Sequence, residues 1–141
     1  MATCETRFDF DLAAGHANSM PPLAQIRSWL RARLDGVARE CAADAELLIT
    51  EMVTNAHQHA AGVTAVRLCL PADRTRLRIE VDDSRPRLRP HRRPERVPEA
   101  VHGRGMVLIA AISTSWGVHT RRRHKTVWAE MPCHHRTTVL R

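Results

Sequence analysis

The chain has no tyrosine, only two phenylalanines and only three tryptophans. So few flat rings exclude the aromatic platform on which single-stranded nucleic acid stacks. Lysine is nearly missing too, since Lys125 is the one basic residue of 22 that is not arginine. Together with abundant alanine, this looks like a coding bias toward Arg and Ala. The formal net charge of +7 would invite nucleic acid as a partner, but it is partly compositional, and with so few aromatic rings a nucleic-acid partner is not expected. No apolar run approaches the roughly 18 residues that a membrane span needs, and residues 1–7 lack the basic-then-apolar order of a secretion signal. These absences predict a cytoplasmic protein with no membrane contact. The four cysteines include no C-x-x-C pair, so they read as reduced thiols, with Cys41 and Cys69 packed. Cys133-His134-His135 reads as a polar tail, because no second ligand cluster answers it. No G-x-x-x-x-G-K-[S/T] exists, which rules out a P-loop.

What is present is enough for a folded domain: 141 residues, 43% of them apolar, read as one unit over 1–141. Residues 5–12 alternate through Phe8, Phe10 and Leu12 and predict a strand. Ser19-Met-Pro-Pro opens a helix, with Ile26, Trp29, Leu30, Leu34 and Val37 at helical spacing to about Glu40. A second helix is expected from an Asp44 cap to about Ala60. On one of its faces Leu48 and Met52 are continued by the polar Asn55 and His59. Val63–Leu70 and Arg74–Asp83 alternate as a hairpin around Pro71-Ala-Asp73. Residues 84–102 hold four prolines and six arginines, which excludes a central strand or helix and suggests a lid. An apolar run from Met106 to Ile112 suits a helix, and 116–120 and 126–131 read as short strands around a basic turn.

Three features carry chemistry. Glu51 and Asn55 lie four residues apart, hence on one side of a helix. A carboxylate there can deprotonate a hydroxyl, and an Asn oxygen can complete the shell of Mg²⁺, which keeps waters and substrate phosphates as its other ligands. By period-two parity Asp83 faces the same way as Leu77, Ile79 and Val81, with no cation expected beside it, and so suits a ligand amine; Asp82 points outward and is expected to be solvated. Gly103-Arg104-Gly105 precedes a helix, where glycines and unpaired N–H groups let the backbone approach phosphate oxygens.

The order of these features resembles the GHKL ATPases (gyrase, heat-shock chaperone, histidine kinase and MutL type). Within them it is most similar to the stand-alone anti-sigma-factor serine/threonine kinases of bacteria. The runs that carry the likeness are Glu51-Met-Val-Thr-Asn55-Ala-His-Gln-His59-Ala, Ile79-Glu-Val-Asp-Asp83, His102-Gly-Arg-Gly-Met106 and Lys125-Thr-Val-Trp-Ala-Glu130. The resemblance implies a Bergerat-type α/β (α+β) two-layer sandwich, with a mixed, mainly antiparallel sheet covered on one face by helices. It implies ATP and Mg²⁺ as cofactors. Glu51 would be the catalytic base and Asn55 the Mg²⁺ ligand, with His59 lining the phosphate end. Asp83 would accept the adenine amine, and Thr126 would bond near that contact. Gly103, Arg104, Gly105 and Met106 would wrap the phosphates. The implied partners are a sigma factor and an antagonist protein that receives the phosphate, with a homodimer as the assembly and transcription regulation as the setting. The alternative is an ATP-binding partner-switch module without turnover. One stretch departs from the pattern: the family's D-x-G-x-G box is here Asp83-Ser-Arg-Pro-Arg87, without glycine.

Overall fold

A computed structural model describes residues 6–9, 21–59, 62–71, 75–83, 107–122 and 124–133. The first helix, α1, spans Leu23–Arg33 and starts at Pro22, which accepts the Ile26 N–H on its carbonyl but offers no side-chain cap. Ser19, the expected cap, lies outside the described residues. The helix ends at Leu34, whose N–H reaches back to Leu30 and Arg31, and the chain then turns at Gly36 with φ 89°. That left-handed conformation is cheap only for glycine, and it stops the helix short of the expected Glu40. The second helix, α2, spans Arg39–His59 and so begins five residues before the expected Asp44. A bidentate Arg31–Glu46 pair at 2.9 and 3.0 Å links the two helices on their exposed side, where such a pair adds little stability.

The strands are β1 (Thr6–Asp9), β2 (Val63–Cys69), β3 (Arg76–Asp83), β4 (Ser115–Thr120) and β5 (Lys125–Pro132). They form one sheet in the order β1-β2-β3-β5-β4. Every described pairing is antiparallel, so the mixed character expected of the sheet does not occur among these strands. Beyond β3 come a helical segment at 107–112 and β4 on the sheet edge; the Arg121 N–H binds the His124 carbonyl at 2.8 Å, and β5 fills the slot between β4 and β3.

One face of the sheet meets the helices. Ile26, Leu30 and Leu34 of α1 and its end pack with Leu48, Ile49, Met52 and Val53 of α2 over Val66, Leu68, Leu77, Ile79 and Val81. Ile109 from the segment 107–112 enters the same core. Burial of these apolar side chains removes their area from water and supplies most of the drive to fold. Cys133 is buried too, and its N–H binds the Thr75 carbonyl at 2.8 Å, so it closes the core instead of starting a polar tail. Cys41 and Cys133 are free and buried, whereas Cys69 is buried and disulfide-bonded, not the reduced thiol expected. Among the described residues no helix is long and apolar enough to cross a membrane.

Candidate functional site

Along α2 the buried stripe is Ala45, Leu48, Ile49, Met52, Val53 and Ala56. Glu51 and Asn55 flank it on one side, one turn apart and half-buried. This is the border at which a polar group can face both the core layer and a ligand. Among the described residues no three His, Cys, Asp or Glu side chains cluster to hold a metal. A single carboxamide oxygen at Asn55 suits an ion such as Mg²⁺, which takes most of its shell from phosphates and water. His59 ends α2, and its side chain lies outside the described residues, as do the lid 84–102 and the whole of Gly103, Arg104, Gly105 and Met106.

Asp83 ends β3 on the helical side, continuing Leu77, Ile79 and Val81, and is fully buried. The parity expectation for its direction therefore holds. The expectation of no cation beside it does not. Register places Lys125 of β5 directly opposite, with Nζ 3.4 Å from Oδ2 of Asp83 and the lysine only 7% exposed. A bulge at Val63/Ala65 in β2 borders the same strand end, since Val63 opposes Asp83 while Ala65 opposes Asp82. Such an irregularity re-aims side chains where a sheet meets a site.

Asp82, expected in water, is 6% exposed on the opposite face of the sheet. It is buried because β2 and β5 both flank β3 and bring polar partners across. Arg67 of β2 forks onto both of its oxygens, and Thr126 of β5 donates its hydroxyl to Oδ1 at 2.6 Å. Thr126 opposes Asp82 in register, so its hydroxyl stands on the far side of the sheet from Asp83 and not beside it, as had been expected. The strand alternates, and a one-residue difference in register exchanges the two faces.

The same outer face carries a charge network that the sequence pattern left unassigned. Arg67 Nε donates to Glu80 at 2.9 Å, Arg78 Nε donates to Glu80 at 2.7 Å, and Arg78 also reaches Glu130 at 3.2 Å. The Arg78 guanidinium lies 4.3 Å from the centre of the Trp128 ring, and His119 stacks near that ring with centroids 6.0 Å apart. A pocket of about 460 Å³ opens here between Arg67, Arg78, Glu80, His119, Arg121, His124 and Thr126. Burial raises the Asp82 carboxyl, but hydrogen bonds from Arg67 and Thr126 and the nearby charge of Arg67 outweigh it and hold the pKa below the usual range. Glu80 is lowered in the same way: burial opposes, and Arg78 and Arg67 prevail. Arg67 is raised, chiefly by its hydrogen bond to Asp82. The outward arginines and acids at alternate positions of β2 and β3 were the available signal, but their pairing depends on register.

Comparison with known proteins agrees with this architecture. The family described as histidine kinase-like ATPase domain matches residues 17–131. Among solved structures, the RsbU and RsbW domains of Rv1364c from Mycobacterium tuberculosis align with a TM-score of 0.62 at 17% identity, over 96% of this chain and 34% of that one. The chain thus spans about a third of that protein, and the likeness is one of fold. A search of curated proteins found no match.

Proposed function

The chain belongs to the histidine kinase-like ATPase domain family, and from that premise we propose that it is an ATP-binding regulatory protein of the anti-sigma-factor type, a serine/threonine kinase of the cytoplasm. Its substrate is a small antagonist protein, and its second partner is a sigma factor. The observation that carries the reading is the pair Glu51 and Asn55, half-buried one turn apart on α2, the helix that packs over the strand ending in buried Asp83.

In this reading ATP lies against the helical side of the sheet, with its amine toward Asp83 and its phosphates toward Asn55. Asn55 would hold Mg²⁺, which would supply neutralisation of the phosphate charge. Glu51 takes the proton of the substrate serine hydroxyl as that oxygen attacks the γ-phosphorus and ADP departs. Phosphoryl transfer needs mainly positioning and charge neutralisation, so a site with few side chains can suffice. Residues 84–102 serve as the lid, and Gly103, Arg104, Gly105 and Met106 as the phosphate turn.

A second reading has one observation in its favour: the stretch Asp83-Ser-Arg-Pro-Arg87 has none of the glycines of the family's first box. Under it the protein grips its partner according to the nucleotide bound and does not turn over. Transfer of labelled γ-phosphate to a co-purified antagonist separates the two. The kinase reading expects transfer by the wild type and its loss in Glu51→Ala, with ATP still bound. Nucleotide-dependent partner binding without any transfer supports the switch instead.

A further inference from the structure

Asp82 and Asp83 are adjacent, both buried, and held by different cations. Arg67 forks onto both oxygens of Asp82, which also accepts from Thr126, so that carboxylate is committed to the fold. Asp83 faces the only lysine of a chain with 22 basic residues. An arginine there would close on the carboxylate bidentately, whereas an ammonium is a point charge with three donors and touches one oxygen. Among the described residues, Asp83 is the one group with which the Lys125 ammonium is paired, so donors remain at a lysine that is 7% exposed. An acceptor and a donor thus stand side by side, 3.4 Å apart, at the end of β3.

We propose that Asp83 and Lys125 together read the edge of the adenine base, a reading that rests on the ATP site argued above. Asp83 accepts from the exocyclic amine, and Lys125 donates to the neighbouring ring nitrogen, N1. An adenine edge presents a donor beside an acceptor, the complement of carboxylate beside ammonium. The lysine is then a specificity-determining residue as well as the counter-ion of Asp83. Thr126, on the other face, takes no part.

The test compares binding of Mg·ATP and Mg·1-deaza-ATP, which lacks N1, to the full chain by calorimetry, with 7-deaza-ATP as control. The wild type is expected to prefer ATP over the 1-deaza analogue by about tenfold or more, the size of one hydrogen bond to a charged group. It should accept the 7-deaza analogue as well as ATP. Lys125→Met should bind ATP more weakly and lose the preference, while Lys125→Gln, which keeps a neutral donor, should retain part of it; thermal melts check that each variant is folded. Equal wild-type affinity for ATP and 1-deaza-ATP overturns the proposal without any variant. So does an unchanged preference in folded Lys125→Met, and in both cases bound ATP leaves the nucleotide site standing. A wild type that binds none of the three overturns the nucleotide reading and this inference together.

Discussion

The hydroxyl of Thr126 donates to Oδ1 of Asp82 at 2.6 Å, across two neighbouring strands and on the face of the sheet away from the helices. It helps hold a buried anion and therefore belongs to the stability of β3 and β5. Thr126→Val keeps the shape and removes the donor. We expect a loss of about 1–2 kcal/mol in urea unfolding, the cost of a hydrogen bond to a charged group. ATP affinity should change far less than stability; the reverse ranking would put the hydroxyl at the base after all.

Arg67 serves both Glu80 and Asp82, and its own side chain is 18% exposed. Arg67→Met would leave two carboxylates without their shared cation in a partly buried place. Breaking such a pair from one side is far costlier than the pair's net worth, so we expect a loss on the order of 3 kcal/mol. Adding Asp82→Asn should recover part of that loss, because the neutral amide no longer needs the guanidinium. A double-mutant cycle by chemical denaturation measures the coupling.

The pH dependence follows from the same network. Asp82 and Glu80 both have folded pKa values depressed below their unfolded ones. Their contribution is therefore complete above the ordinary carboxylate values of about 4 and is lost as pH falls through the lower folded values. Unfolding free energy should be flat for these groups from neutral pH down to about pH 5 and then drop steeply. In Asp82→Asn the acid-side drop should be shallower, which a series of denaturation curves between pH 2 and pH 7 would reveal.

Gly117 of β4 lies under the Trp128 indole, and a Cβ there would stand 2.9 Å from the ring. Gly117→Ala must push the indole off its seat between Gly117 and the Arg78 guanidinium. Overpacking of this kind costs on the order of 1–3 kcal/mol. A changed near-UV circular dichroism signal with intact far-UV signal is expected; an unchanged aromatic spectrum would mean that the ring has room to yield.

Much of the helical side was legible in the sequence, because local periodicity reports which way a side chain points. Leu77, Ile79, Val81 and Asp83 fall on one face as alternation requires, and Leu48 and Met52 enter the core at helical spacing. What stayed hidden depends on contacts distant in sequence. Alternation shows that Asp82 points outward, but not that Arg67 and Thr126 will cover it, since that follows from β2 and β5 being the neighbours of β3. Nor could it show that Lys125, not Thr126, opposes Asp83. The break at Gly36 was missed because one positive φ outweighed a continuous helical pattern. The glycine turn 103–105 and the lid, which complete the proposed site, lie outside the described residues.

The role proposed for Asn55 differs from that of Glu51 in a way that binding measurements resolve. A half-buried carboxamide that ligates Mg²⁺ should matter only when the metal is present. Asn55→Ala is thus expected to weaken binding of Mg·ATP by about tenfold, equivalent to 1.4 kcal/mol, and to leave binding of metal-free ATP nearly unchanged. Glu51→Gln, which keeps the size and removes the base, should bind both forms like the wild type and lose transfer by roughly 10²–10⁴-fold. Calorimetric titrations of both variants with and without Mg²⁺ decide the matter. If Asn55→Ala lost affinity equally for the two forms, its amide would be holding the nucleotide or the helix, and the metal would need another ligand.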